Sequence, residues 1–340
     1  MRSPMSDQQT LAGGPLFLVS LDLELGWGGW DGRVDAAERA NLLGARQAIP
    51  VLLDLFARYQ VRATWAAVGL LLFDSKTELY RYLPERRPAY THHGLGPYRY
   101  LNQIGDNEEA DPYHYALSLI RMILSRDGME LGSHTFSHYY CLEPGQTVSD
   151  FRADLEAGSA AAERLGARLA SLIFPCNQYS PEYLEICAAL GFRVFRGNAA
   201  GPMHAASRNQ IQRSVWRRTA RLVDAYVKLP GVQTALPRAE NGLLNLPATC
   251  FLRPVSQCLR AIEALRMRRI KAAMQSAAVA GTCFHLWWHP HNFGRNLERN
   301  IGFLEGILRY YTMLRDKYGM RSLTLGEAAA ARKGGGAWQS

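Results

Sequence analysis

The chain has 340 residues, of which 48% are hydrophobic and 20% charged, and its formal net charge is +9. This composition excludes a largely disordered or fibrous protein and predicts a well-packed globular one. No apolar run approaches the roughly 20 residues of a membrane-spanning helix, and the N-terminus lacks the apolar core of a signal peptide. The six cysteines form no CxxC pair, which favours a reducing, cytoplasmic location.

Much of the positive charge falls in a basic helical region at about 205–280, in the runs 213–228 and 260–271. Such runs mark nucleic acid, an anionic membrane surface or an acidic glycan in some proteins, and a solvated helix face in others. Because no nucleic-acid-binding module accompanies them, nucleic acid is not an expected partner. Peripheral association with the inner face of the membrane stays open, and the sequence does not indicate an oligomeric state.

Strand-like and helix-like patterns alternate along the chain. Thr147 and Asp150 have the spacing of a capping box before one helix, and Pro50 is expected to interrupt the helix predicted over 35–60. The alternation predicts a parallel sheet covered by helices, either closed as a barrel or open. The strands are expected at "LFLVSLDLEL", "RATWAAVG", "MELGSHTF", "LASLIFP", "FRVFRG", "TCFHLWWHPHNF" and "SLTL".

These patterns predict a single catalytic domain over 15–330. A polar and aromatic passage at about 74–115 is too long for an ordinary connection and indicates a loop insertion. The segments 1–14 and 331–340 are expected to be a disordered N-terminus and a flexible tail.

The first strand ends in two acidic residues. In "SLDLELGWGGW", Asp22 and Glu24 point to the same face of an extended strand. Two carboxylates placed there repel each other and resist desolvation unless a cation, a shared proton or salt bridges relieve them. In a barrel, residues at the carboxyl ends of the strands carry the chemistry.

A second strand leads into "SHTFSH", where His134 and His138 are four positions apart. A catalytic zinc site takes three protein ligands and keeps one position open, so these histidines and one carboxylate of the first strand would complete a set. Thr135 follows His134, which excludes the HExxH motif of metalloproteases. The spacing alone also fits two structural histidines.

Two further strand ends carry unusual residues. In "IFPCNQ", an abrupt turn at Asn177 would turn backbone N–H groups towards a ligand. In "FHLWWHPHN", three histidines fall within seven residues, and strand alternation puts His285 and His289 on one face while His291 follows Pro290.

The order of these four motifs resembles the polysaccharide deacetylase family (NodB-like, carbohydrate esterase family 4) over about 17–325. The resemblance implies an α/β fold, a distorted incomplete (β/α)7-type barrel. "HTFSH" matches the family's H(S/T)xxH motif closely. The "HLWWHPHNF" form resembles a subfamily variant associated with bacterial surface-polysaccharide biosynthesis.

The resemblance implies a role for each polar residue. Glu24, His134 and His138 would bind a divalent metal, Zn2+ in the first place, with Co2+ or Ni2+ as alternatives. Asp22 would be the catalytic base, although the roles of Asp22 and Glu24 are exchangeable because "DLE" replaces the commoner adjacent aspartates. His289 would be the late catalytic histidine, with His291 and His285 as second choices.

The chain departs from the family at the third motif. Many relatives have an arginine near the proline, and this chain has Cys176. Arg193 or Arg196 from the following strand would then orient the base. An alternative is a catalytically inactive sugar-binding relative, in which Cys176 reflects lost activity.

The implied activity is removal of an acetyl or formyl group from an acylamino sugar. The sugar would be nucleotide- or lipid-linked, since a cytoplasmic enzyme acts before export, and the basic runs would guide that phosphate-bearing substrate. A metal-dependent amidase acting on a small amide is the alternative. The residues expected to contact the substrate are Trp27, Trp30, Asn177, Trp287 and His291.

Overall fold

A computed structural model describes residues 14–28, 36–198, 208, 236–256 and 258–333. Within them, ten strands form one sheet. The strands are β1 (Leu16–Leu23), β2 (Ala63–Ala67), β3 (Met129–Ser133), β4 (Ser171–Leu172), β5 (Val194–Phe195), β6 (Arg238–Glu240), β7 (Leu243–Asn245), β8 (Cys250–Phe251), β9 (Cys283–Trp288) and β10 (Arg321–Leu323).

The sheet has the order β6-β7-β5-β4-β3-β2-β1-β9-β8, and β10 pairs with the beginning of β1. These pairs are parallel, except that β6 runs antiparallel to β7. With β6 and β8 at its two ends, the sheet is a curled half-barrel rather than a closed one. The predicted α/β fold of an incomplete barrel is confirmed.

Eight helices of the described residues connect and cover the strands. They are α1 (Ala36–Tyr59), α2 (Lys76–Arg81), α3 (Leu117–Leu124), α4 (Val148–Glu163), α5 (Pro181–Ala189), α6 (Glu263–Ala280), α7 (Leu297–Tyr318) and α8 (Leu325–Lys333). The capping box of Thr147 and Asp150 is present at the start of α4. The expected interruption at Pro50 is wrong, because α1 continues through it. Buried Ile49 and Leu53 on either side keep the helix packed on the core.

The centre of the sheet is the most buried part of the fold. All eight residues of β1 are buried, and β2 and β9 flank it. Since β1 has no solvent-facing side, the polar residues at its carboxyl end are held in the interior.

The passage predicted as a loop insertion folds back over the site. It contains α2 and two short 3₁₀ turns, His93–Leu95 and Pro97–Arg99. Its Tyr90 packs on Tyr140, just beyond the two histidines of the third strand. The insertion therefore covers the segment that follows β3.

The basic runs are described only in part. Run 213–228 lies outside the described residues. In run 260–271, Arg266 is buried, forms an ion pair with Glu263 (2.6 Å) and lies over the ring of Phe303. Arg268 is exposed. At least one cation of this run thus belongs to the packing of α6 rather than to a surface.

In the part of the chain that the structure describes, no helix has both the length and the apolar character needed to cross a membrane.

Candidate active site

Glu24 follows β1 directly, and a 3₁₀ turn, Leu25–Gly28, begins after it. The turn folds Gly28 onto the carboxylate of Glu24, so closely that a Cβ atom on residue 28 would overlap it. Glycine at this position therefore leaves the carboxylate free to point into the site. Glu24 is 8% exposed.

The two histidines follow β3 in a strained turn. Thr135 and His138 have positive φ values of 61° and 57°, a conformation that non-glycine residues rarely adopt without support. The backbone N–H groups of Phe136 and Ser137 donate to the carboxylate of Asp154 at 2.7 and 3.2 Å. Asp154 thus holds the turn that carries both histidines.

Asp154 was not predicted as a site residue from the sequence. It belongs to the buried face of α4, between Phe151 and Gly158, so an acid at an apolar helix position was the available signal. Burial raises its pKa to about 6, although the hydrogen bonds from Ser137 and the backbone lower it.

Glu24, His134 and His138 meet in the interior. Nε2 of His138 lies 2.9 Å from Oε2 of Glu24, and Nε2 of His134 lies 3.5 Å from the same oxygen. One donor atom from each residue lies within 4.8 Å of the others, so the three could hold a metal ion. These are the three residues that the family resemblance implied as ligands, with Asp22 as the alternative to Glu24.

The donor set fits a divalent cation. Nδ1 of His134 is 2.9 Å from the backbone oxygen of Ile173, a bond in which Nδ1–H donates and Nε2 keeps its lone pair. That lone pair faces a carboxylate oxygen of Glu24, so two acceptors approach each other. A cation between them would convert this repulsion into coordination.

The carboxylate of Glu24 is ionised in this setting. Burial would raise its pKa, but the neighbouring His289, His134 and His138 outweigh burial and hold the pKa well below its usual value. Burial lowers the pKa of His138, against the opposing effect of Glu24. A neutral imidazole beside an ionised carboxylate is the protonation pattern that metal ligands require.

Asp22 is paired with an arginine. The guanidinium of Arg196, at the end of β5, donates to Oδ1 and Oδ2 of Asp22 at 2.6 and 2.7 Å. Burial raises the pKa of Asp22, but the opposing effect of Arg196 is larger, so the pKa lies below its usual value. Arg193 is exposed. Of the two candidate arginines, Arg196 is the one that orients Asp22.

A buried chain of hydrogen bonds supports Arg196 from behind. Its Nη1 donates to the hydroxyl of Ser20 (3.1 Å), which lies 2.9 Å from Nε2 of His285. Nδ1 of His285 lies 3.2 Å from the backbone oxygen of Leu246. Burial and then Arg196 lower the pKa of His285 to about 3. This neutral histidine supports the network behind Arg196.

His289 lies on the open side of the site. Its Nε2 is 3.4 Å from Oε1 of Glu24 and 3.9 Å from Oδ2 of Asp22, and its side chain is 23% exposed. Its ring lies 5.1 Å from that of His291 and 5.8 Å from that of Trp287. Burial and then His289 lower the pKa of His291 to about 4.

Trp287 and Asn177 border the arginine. The ring of Trp287 covers the guanidinium of Arg196 at 4.0 Å, and Oδ1 of Asn177 lies 3.5 Å from Nη2 of the same arginine. The N–H of Asn177 donates to the oxygen of Phe174 at 2.9 Å, so this N–H is already used within the turn. The turn itself has positive φ values at Cys176 and Asn177.

Of the two tryptophans that follow β1, the structure describes Trp27. Trp27 is 5% exposed, and its Nε1 donates to the backbone oxygen of His114 in the insertion. With so little free surface, Trp27 offers packing rather than a face for a sugar. Trp30 lies outside the described residues.

Residues 43–195 match the family model described as "Polysaccharide deacetylase". This match confirms the resemblance to the polysaccharide deacetylase family that was inferred from the motifs. The matched segment contains both histidines of "HTFSH", whereas Asp22, Glu24 and His289 lie outside it. The subfamily assignment of "HLWWHPHNF" stays a prediction. A search of the curated proteins finds no match.

Solved structures share the fold at low sequence identity. A protein described as a polysaccharide deacetylase from Mycobacterium smegmatis is 14% identical with a TM-score of 0.59, over 96% of this chain and 93% of that one. One from Pseudomonas aeruginosa PAO1 is 13% identical (TM-score 0.56, 95% and 92%). Puue allantoinase is 11% identical (TM-score 0.59, 98% and 96%). These similarities concern the fold alone.

Proposed function

We propose that this protein is a metal-dependent hydrolase that removes the acyl group, acetyl or formyl, from an acylamino sugar. The observation that carries the proposal is the convergence of Glu24, His134 and His138 within 4.8 Å, next to an arginine-paired Asp22 and a partly exposed His289. The family description of residues 43–195 supports the reaction class.

Glu24, His134 and His138 would hold the cation, and the chemistry of the donors suits Zn2+, Co2+ or Ni2+. Such a cation supplies Lewis acidity, which polarises an amide carbonyl and lowers the pKa of water towards roughly 7. The alternative exchange of Asp22 and Glu24 is not favoured, because both oxygens of Asp22 accept hydrogen bonds from Arg196.

Asp22 accepts the proton of the attacking water. Each of its oxygens has one lone pair left after the bond to Arg196, and its lowered pKa keeps it ionised throughout the neutral range. A base of low pKa is weak, so it depends on a water that is already acidified. Arg196 holds the carboxylate in one orientation.

His289 donates a proton to the departing nitrogen as the C–N bond breaks. Its Nε2 faces the same space as Glu24 and Asp22, and its partial exposure leaves room for a substrate. The products are a carboxylic acid and an amino sugar. Trp287 and His291, both half-buried beside His289, would contact the sugar ring, and Asn177 would reach it from the opposite turn.

The family resemblance and the positive charge of the chain support a phosphate-bearing sugar as the substrate. A sugar linked to a nucleotide or a lipid diphosphate would suit a basic, cytoplasmic enzyme of surface-polysaccharide biosynthesis, because phosphate is attracted by cations such as the exposed Arg268. A phosphate-bearing lipid would bring the protein to the inner face of the membrane.

The proposal is tested by acid release from a panel of amides. Zinc-loaded protein is incubated with free N-acetyl sugars, nucleotide-linked and lipid-linked N-acylamino sugars, and a small cyclic amide, and acetate or formate is measured. We expect release from the sugars and none from a His134→Ala variant. Release from the small amide alone would favour the amidase alternative, and no release from any compound would favour an inactive sugar-binding protein.

A further inference from the structure

The two carboxylate oxygens of Glu24 face different histidines. Oε2 faces His138 at 2.9 Å and His134 at 3.5 Å. Oε1 faces His289, with Nε2 at 3.4 Å. Glu24, His289 and His291 form a second group whose donor atoms all lie within 4.8 Å of one another. Glu24 is thus shared between two sets of histidines.

We propose that Oε1 of Glu24, His289 and His291 form a second, weaker site for a divalent cation, and that filling this site inhibits the enzyme. The inhibition rests on the proposed function, since it requires His289 to be the proton donor. A bridging carboxylate between two cations about 3.5–4 Å apart is the usual arrangement of two-metal sites.

The local structure suits such a site. The 3₁₀ turn Pro290–Phe293 follows β9 directly and brings the rings of His289 and His291 to 5.1 Å with an interplanar angle of 33°. Imidazole and carboxylate donors favour Zn2+, Co2+ and Ni2+. Because the side chain of His289 is 23% exposed, a cation can reach it from solvent.

Asn292 links cation binding to loss of the proton donor. Its Nδ2 lies 3.4 Å from Nδ1 of His289. A histidine that protonates a departing amine acts as an imidazolium, which carries a proton on both Nδ1 and Nε2. A histidine that binds a cation through Nε2 presents a lone pair there, while its Nδ1–H donates to the oxygen of the Asn292 amide once that amide has turned over. One ring nitrogen cannot serve both purposes, so a bound cation removes the donor.

The second site must be weaker than the first. Arg196 already neutralises Asp22, which leaves Glu24 as the one carboxylate shared by two divalent ions. Their mutual repulsion at about 4 Å corresponds to an affinity lower by a factor on the order of 1000 even with the dielectric constant of water. The two sites should therefore fill at well separated metal concentrations.

Equilibrium dialysis of metal-free protein against rising Zn2+ tests the proposal, with bound zinc counted by mass spectrometry. We expect one tight equivalent and a second one at concentrations ~1000-fold higher. His291→Asn and His291→Ala should each lose the second equivalent and keep the first, which also reports that the variant is folded. His93→Asn, a change of an exposed histidine outside the site, should keep both.

Acid release is measured on the same samples, each relative to its own value at one equivalent. We expect release by the wild-type protein to fall at least 10-fold as the second equivalent binds, and release by the His291 variants to stay level. A second equivalent that persists in both His291 variants, a wild-type protein that binds only one, or an undiminished rate at two equivalents would overturn the proposal. A missing first equivalent, or no acid release at one equivalent, would instead count against the proposed function.

Discussion

The guanidinium of Arg196 donates two hydrogen bonds, of 2.6 and 2.7 Å, to the two carboxylate oxygens of Asp22, and both side chains are buried. Paired charges in an apolar interior are stable only when both partners are present. The pair therefore determines the orientation and the ionisation of the proposed base.

Arg196→Lys should weaken catalysis and change its pH dependence. Lysine keeps the charge but cannot form the two-pronged contact, so the effect of burial prevails and the pKa of Asp22 rises. Because Asp22 acts ionised, the acid limb of the kcat/KM profile should move to higher pH, and its plateau should fall roughly 100-fold. Arg193→Lys, on the same strand segment but exposed, is the matched control. Identical profiles for wild-type and Arg196→Lys would show that Asp22 does not depend on this arginine.

His285→Gln should reduce the loss of stability on acidification. The pKa of His285 is about 3 in the folded protein and about 6.5 when unfolded, so below pH 6.5 the unfolded chain binds a proton that the folded chain does not. The contribution of neutral His285 to the free energy of unfolding is present above pH 6.5 and is lost as pH falls, by about 2 kcal/mol between pH 7 and 5. Glutamine does not titrate, and it can still bond to Ser20 and Leu246.

Urea unfolding of metal-free protein at pH 7 and pH 5 measures that contribution. The difference between the two pH values should shrink by about 2 kcal/mol in His285→Gln and should not change in His93→Gln, where the histidine is exposed. An unchanged difference in both variants would mean that His285 is protonated in the folded protein.

Asp154→Asn should loosen the turn that holds the two histidines. The backbone N–H groups of Phe136 and Ser137 now donate to the carboxylate. In the variant, the amide NH2 group is itself a donor and would take the place of one of the two accepting oxygens. Loss of such supporting bonds costs about 10- to 100-fold in metal affinity. Zinc competition with a chromophoric chelator measures it. Glu156→Gln, on the exposed side of the same helix, is the control, and equal zinc affinity of Asp154→Asn and wild type would refute the role of Asp154.

Gly28→Ala should affect metal binding more than folding. The added Cβ would overlap the Glu24 carboxylate, which is the end of a flexible side chain and can move away at little cost in stability. The displaced ligand should lower zinc affinity by about 10-fold, while the free energy of unfolding stays within about 1 kcal/mol of wild type. Gly302→Ala, where an added Cβ meets nothing within 4 Å, should leave zinc affinity unaltered. A Gly28→Ala protein with wild-type zinc affinity would contradict this position of Glu24.

Local patterns predicted an α/β fold, and together with the family resemblance they predicted that Glu24, His134 and His138 lie close to one another. Strand alternation placed Asp22 and Glu24 on one face, and parallel strands bring their carboxyl ends, with His134 and His138, to one edge. The partner of Asp22 could not be predicted in this way, because Arg196 is 174 positions away in the sequence. Arg193 and Arg196 lie on either side of the short strand β5, and the sequence does not show which of them faces Asp22.

Other features depend on contacts between distant segments. A tryptophan in a glycine-rich loop, such as Trp27, is typical of a surface on which a sugar stacks. In the structure, Trp27 instead packs against the insertion and donates to the backbone oxygen of His114. In the sequence, Asp154 resembles any other acidic residue of a helix. It accepts hydrogen bonds from the turn at 134–138 only because α4 packs against that turn. Both outcomes are set by tertiary packing, which outweighs local sequence preference.

Acetate or formate release as a function of bound cation tests the central claim most directly. Metal-free protein is titrated with Zn2+ up to one equivalent in the presence of the best substrate of the panel. The rate should rise in proportion to bound zinc, and Glu24→Gln should bind little zinc and release little acid. Equal rates from metal-free and zinc-loaded protein, or an unimpaired Glu24→Gln variant, would contradict a cation centre built on Glu24, His134 and His138.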